Sequence, residues 1–147
     1  MQQLFFYRER DAYGCFSNFA RYPILMDGKS WPTSEHYFQA QKFAGTPHEE
    51  LVRLASSPMM AAKIGRDRTL PLRSDWEHVK DNIMLDAVRA KFEQWPNLTE
   101  VLKRTKGFTI VEHTINDSYW GDGGDGTGLN KLGTILMQVR DELVDLD

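Results

Sequence analysis

Residues 31–43, Trp-Pro-Thr-Ser-Glu-His-Tyr-Phe-Gln-Ala-Gln-Lys-Phe, constrain this chain most tightly. Pro32 followed by two hydroxyl residues marks a helix start, because Thr33 or Ser34 can cap the orphan N–H groups of a first turn. The helix is expected over 33–44, closed by Gly45 with Pro47 beyond it. On it, Glu35, Gln39 and Lys42 fall four and then three residues apart, so a carboxylate, an amide and an amine share one stripe. Glu35 lies in the first turn, where the helix dipole favours an anion. Tyr37, Phe38, Ala40, Gln41 and Phe43 spread over the other sides and can anchor the helix in a core. Taken alone, the spacing describes a solvated face with a weak Glu–Lys pairing. The flanking aromatic residues and the Pro–Thr start suit a cleft wall as well as a surface.

The rest of the chain is punctuated in the same way. Residues 4–7, Leu-Phe-Phe-Tyr, read as a short strand. Residues 22–31 read as a hairpin around the turn signal Asp27-Gly28. Short helices are expected at 48–55, at 57–65 with Ser57 as cap and Pro58 at the first position, and at 98–105. A long helix runs from Ser74 to Gln94, 108–112 alternates as a strand, and a last helix covers 134–143 before a fraying tail, 144–147. A length of 147 residues without repeat or linker suits one domain, residues 1–147.

Charge and cysteine content narrow the function. A net charge of -3 gives no basic surface for a broad grip on DNA, although local Arg and Lys residues could still hold a nucleotide-sized ligand. The single cysteine, Cys15, allows no internal disulfide and fits a reducing compartment. No apolar run approaches the ~20 residues of a membrane span, so a cytoplasmic protein without a membrane segment is expected. The four histidines, His36, His48, His78 and His113, have no metal spacing, and no cofactor is expected.

Three further stretches could carry chemistry. Phe16-Ser17-Asn18-Phe19 could stack a planar base and bond its edge, or could be a loop pinned to the core by two Phe. Lys63, Arg66, Arg68 and Arg73 form the one local basic concentration; they could seat a phosphate, or sit in a solvated loop paired with Asp67 and Asp75. The region 112–133 puts five glycines within 121–128, together with Asp117, Trp120, Asp122, Asp125 and Asn130. Calcium-loop and Walker A patterns are both absent from it. A nucleotide- or sugar-binding loop with Trp120 as a stacking surface remains, beside a flexible surface loop.

The ordered set Phe16-Ser17-Asn18-Phe19, Trp31 to Phe43, Ser57-Pro58, Gly65-Arg66, Arg73, Asp75-Trp76, Lys91-Phe92, Glu112-His113-Thr114, Tyr119 to Gly124 and Asn130 to Gly133 resembles the NADAR family, named for NAD and ADP-ribose. Within it, the chain is most similar to the YbiA-like N-glycosidases. The resemblance implies an α+β, mainly helical domain with a few short strands. It implies hydrolysis of the C1–N bond of phosphorylated ribosylaminopyrimidine intermediates of riboflavin biosynthesis, a small-molecule substrate, with release of ribose 5-phosphate. Other members of the family remove ADP-ribose from guanine, so ADP-ribosylated guanine in nucleic acid or nucleotide is the alternative substrate. A nucleotide-binding module without turnover is the alternative of another class.

Breaking such a bond builds positive charge on the ribose. Glu35 is the expected carboxylate near C1, to stabilise that charge or activate water. A ribosylamine can also open to an imine and exchange onto a lysine, and Lys42 on the same stripe is the candidate, provided its pKa is lowered. Arg66, with Lys63 and Arg73 behind it, is the expected phosphate clamp. Phe19, Trp76 and Trp120 are the expected stacking residues, and Asn18 and Asp122 read polar edges. Gln39 and Asn130 complete the expected substrate-binding set.

Overall fold

Capping residues and turn glycines set most element boundaries in the computed structural model, which describes residues 2–146. In chain order the elements are β1 (Gln3–Phe6), β2 (Ile24–Met26), β3 (Lys29–Trp31), α1 (Ser34–Gln41), α2 (Pro47–Arg53) and α3 (Pro58–Gly65). They continue with α4 (Trp76–Gln94), α5 (Pro96–Lys103), β4 (Thr109–Glu112) and α6 (Lys131–Asp145). The α+β, mainly helical class expected from the sequence is the one found. Two compact units can be separated, Arg21–Lys91 on one side and, on the other, the residues up to Ala20 with those from Phe92 onward.

In the Arg21–Lys91 unit, β2 and β3 pair antiparallel with Ile24 opposite Trp31 and Met26 opposite Lys29. Asp27 and Gly28 both have left-handed φ, 56° and 75°, the geometry that the Asp-Gly signal demands. Thr33, Thr46 and Ser57 cap α1, α2 and α3, each accepting a backbone N–H with its hydroxyl. Ile24, Trp31, Tyr37, Ala40, Phe43, Val52, Ala61 and Ala87 form the core cluster. Fully burying one large apolar side chain of this kind stabilises by about 1.5–3 kcal/mol.

In the other unit, β1 and β4 pair in parallel, Leu4 against Ile110 and Phe6 against Glu112, although a hundred residues of sequence separate them. Phe6, Phe16 and Phe92 pack at the base of this pair, with Phe16 5.8 Å from each of the other two rings. The buried Arg140 on α6 donates through Nη1 to the carbonyls of Thr105 and Phe108, both at 2.8 Å, and so holds the turn between α5 and β4.

Several expected boundaries move for identifiable reasons. Pro47 and Pro96 occupy first helical positions instead of preceding the helices, because a first-turn N–H has no intrahelical partner to lose. The segment 42–44 continues as turns after α1 ends at Gln41. α6 begins at Lys131, three residues before the expected start, and runs to Asp145 through part of the tail expected to fray; Asp147 lies outside the described residues.

His36 illustrates how α1 is held. Its ring Nε2 lies 3.0 Å from Ala55 O and must donate to it, which leaves Nδ1 to accept from the Thr33 hydroxyl at 2.8 Å. Burial, reinforced by the charge of Arg21 and opposed by the Ala55 carbonyl, pushes the His36 pKa below its ordinary value. Folding therefore favours the neutral ring, and as pH falls below ~6.5 the unfolded chain takes up a proton that the folded chain resists. Stability should be fully present above that pH and fall towards pH 5.5, by at most ~1.4 kcal/mol per pH unit from this group. His36→Gln should lower the melting temperature at pH 7.5 yet flatten its decline between pH 7.5 and 5.5. Parallel declines in the two proteins would refute the assignment.

Candidate active site

α1 delivers the stripe that its spacing describes. Gln39 Nε2 donates to Glu35 Oε2 at 2.7 Å, one turn away, and both side chains are buried. Lys42 closes α1 and is only 6% exposed, so the solvated-face alternative is not what forms. Its Nζ donates to the carbonyl of Gly65, the last residue of α3, at 3.2 Å. Phe38 and Trp76 face each other at 5.1 Å, with Lys42 Nζ 6.0 Å and 5.6 Å from their respective ring centroids.

This environment tunes the amine. Burial is the main cause lowering the Lys42 pKa; Arg68 is the next, Arg66 and Lys80 add to it, and Glu35 opposes them. The balance lies at about 8, which leaves about a tenth of the lysine as free amine at pH 7. A perturbed amine beside a buried carboxylate is a pattern typical of functional sites.

The basic residues divide into two groups. Arg66 and Arg68 are exposed beyond the end of α3 and act on Lys42 electrostatically. Lys63 is exposed on the last turn of α3, where a cation complements the helix dipole. Arg73 behaves differently from the expected clamp. It grips Asp75 with Nε and Nη2 at 2.6 Å and 3.1 Å, and Nη1 donates to Gln41 O at 3.3 Å. Its own N–H donates to Lys42 O, so Arg73 ties the end of α1 in place. Asp67 accepts from Thr69, not from an arginine. Trp76 is buried against Phe38 as a wall beside Lys42.

The remaining expected residues belong to the other unit. Asn18 is buried and Phe19 half-buried, while Phe16 is wholly core. Trp120 is half-buried and edge-on to Tyr119. The glycine loop is stitched to itself: the N–H groups of Gly128, Leu129, Asn130, Lys131 and Leu132 donate to carbonyls within 118–122. Asn130 spends its amide on β4, accepting from Glu112 N and donating to Ile110 O, both at 3.0 Å. Asp122 is buried, with His113 Nδ1 at 2.7 Å and the N–H groups of Thr114 and Gly124 bonded to its other oxygen. Burial pushes its pKa up, but those three donors outweigh it and hold the carboxyl below its ordinary value. This pair borders a cavity of about 380 Å³ with Phe5, Gly124, Gly126 and Asn130 in its lining. Among the described residues, no three His, Cys, Asp or Glu side chains gather as a metal site, and no helix is long and apolar enough to cross a membrane.

Sequence reasoning gave Gly65 only the role of a helix end and left Arg68 out of the site. Arg68 had a signal in the Arg-Asp-Arg run. The His113–Asp122 pairing had none, because the loop's path decides it. Arg68→Ala should raise the Lys42 pKa, since it removes the largest neighbouring positive charge. An NMR titration of the lysine side chain measures this, and an unchanged or lowered value would refute the electrostatic account.

The sequence model of the NADAR domain matches residues 5–144. N-glycosidase YbiA of Escherichia coli K12 is 57% identical over 138 residues, 94% of this chain and 86% of that protein. The chloroplastic riboflavin biosynthesis protein PYRR of Zea mays is 42% identical over 95% of this chain and 25% of its own length. The NMR structure of Escherichia coli YbiA superposes with a TM-score of 0.91 at 55% identity, covering 99% of this chain and 88% of that one. The chain therefore belongs to the NADAR domain family, in its N-glycosidase group.

Proposed function

We propose that this chain hydrolyses the C1–N bond of phosphorylated ribosylaminopyrimidine intermediates of riboflavin biosynthesis and releases ribose 5-phosphate. The observation that carries this reading is Lys42, a buried amine with its pKa lowered to about 8 on the same helix as the buried Glu35. The relatives from maize and from Vibrio vulnificus, both named as riboflavin biosynthesis proteins, support the choice of substrate.

In the scheme, the ribosylamine opens so that C1 is doubly bonded to the exocyclic nitrogen. The free amine of Lys42 adds to C1, and the aminopyrimidine departs as a free amine carrying the two protons that Nζ gives up. Water adds to the C1–Nζ imine that remains, Glu35 takes a proton from the water and passes it to Nζ, the hydroxyl proton follows as the C1–Nζ bond breaks, and the products are ribose 5-phosphate and free lysine. Glu35 alone, activating water on a closed ribose, is the direct alternative. Arg66 is the phosphate contact in either route.

Lys42→Arg keeps the charge and cannot form an imine, so turnover should fall by at least ~10² while folding persists by melting temperature. Borohydride should trap a ribose phosphate adduct on the unmodified chain only. Near-normal turnover by Lys42→Arg would rule out the covalent route. The wild-type rate should rise with pH through about 8 as the amine loses its proton.

Arg66→Ala should raise KM for phosphorylated substrate far more than for its dephosphorylated analogue; equal losses would count against the clamp. Incubation with ribosylaminopyrimidine phosphate and with ADP-ribosylated guanosine, read by mass spectrometry, tests the substrate class. Release of ADP-ribose with no ribose 5-phosphate would favour the guanine substrate. Binding without release of either would make the chain a nucleotide-binding module.

A further inference from the structure

We propose that Gly65 is a positioning residue for the Glu35, Gln39 and Lys42 stripe, acting through the Gln39 amide. This deepens the reading above and rests on it.

Gly65 ends α3, and its φ is not in the left-handed range, so its backbone conformation is open to any residue. On propensity alone, alanine would serve a helix better there. The demand for glycine comes from space. A Cβ on Gly65 would lie 2.0 Å from Gln39 Oε1, 2.7 Å from its Cδ and 2.9 Å from its Cβ. The Gln39 side chain thus lies directly against the Gly65 α-carbon.

That seat fixes which way the amide faces. Glu35 Oε2 can only accept when ionised, so the Gln39 NH2 group must point at it, and it does so at 2.7 Å. The amide oxygen is left on the Gly65 side, buried and without a hydrogen-bond donor among the described residues. A Cα–H group can make a weak contact with such an oxygen, and a side chain at position 65 would occupy the space that the oxygen fills. Meanwhile the Gly65 carbonyl accepts from Lys42 Nζ. One residue therefore orients the donor to Glu35 through its α-carbon and anchors the amine through its carbonyl.

A methyl group at position 65 should push the amide off its seat and weaken the Gln39 hydrogen bond to Glu35. Displacing a catalytic group by an ångström can cost about 10²-fold in rate. The test is a double-mutant cycle with Gly65→Ala, Gln39→Gly and the double variant, measured as kcat and KM for ribosylaminopyrimidine phosphate. The side-chain NH2 resonance of Gln39 is followed in the wild type and in Gly65→Ala. We expect Gly65→Ala to lower kcat by about 10² with KM little changed, and to shift or broaden the Gln39 signal. On the Gln39→Gly background, where all three crowding side-chain atoms are gone, Gly65→Ala should cost less than about twofold.

Should Gly65→Ala fold poorly, the double variant should fold as well as Gln39→Gly, because no side-chain atom of residue 39 is left to collide. Multiplicative losses, or an unmoved Gln39 signal, would overturn the proposal. If the wild type does not turn over this substrate, the functional reading fails instead, and the Gln39 signal still decides the positioning claim.

Discussion

α1 is buried on every side although five of its eight residues are polar. Burying an unpartnered polar group costs on the order of 1–3 kcal/mol in protein mutational data. The sequence Ser-Glu-His-Tyr-Phe-Gln-Ala-Gln can therefore sit in an interior only where its surroundings supply partners. Thr33 caps the first turn and serves the His36 ring, Ala55 takes the other ring nitrogen, and Arg73 takes the carbonyl of Gln41. These partners come from the residue before α1, the end of the α2 region and the segment before α4. The Arg21–Lys91 unit is thereby committed to one arrangement, since a partly satisfied polar network would be worse than an apolar core.

The two units use buried carboxylates in different ways. Asp122 has three donors on its two oxygens and organises a loop whose backbone is bonded to itself. The five glycines of 121–128 then divide in their reasons: Gly123, Gly124 and Gly126 have left-handed φ, while Gly121 and Gly128 lie where a Cβ would meet backbone. Glu35 instead receives a side-chain amide that is itself left with an unpaired oxygen. Unsatisfied groups of this kind are rare in folded proteins, and they concentrate where function sets the geometry.

Much of the fold was legible because it is written locally. Caps at Thr33 and Ser57, the Asp27-Gly28 turn and the apolar face of α4 depend on residues a few positions apart. The parallel pairing of β1 with β4 was not legible, since a four-residue strand carries no mark of a partner a hundred positions away. The same divide runs through the site. The 35–39–42 stripe was readable from helical spacing, but its burial was not, because polar residues normally signal a solvated face. Arg73 read as a phosphate contact from its charge, while its bidentate partner two residues on, Asp75, was weighed only as part of a solvated loop. Asn130 read as a ligand contact in a glycine loop, yet its amide closes the edge of β4. In both cases composition identified the group and tertiary structure decided what it would bond.

The stripe also resolves a conflict between its two charged members. A free amine and an ionised carboxylate on one helix face would ordinarily pair, and the pair would hold the lysine protonated. Here Gln39 lies between them in sequence and takes Glu35 Oε2, while Lys42 turns to the Gly65 carbonyl. A neutral carbonyl stabilises an ammonium less than a carboxylate does, so burial and the charges of Arg68 and Arg66 can prevail over Glu35. The intervening amide lets one helix carry an anion and a deprotonatable amine near neutral pH. An Asp or Glu at position 39 would put a second negative charge beside Glu35 and draw the lysine back towards its ordinary value.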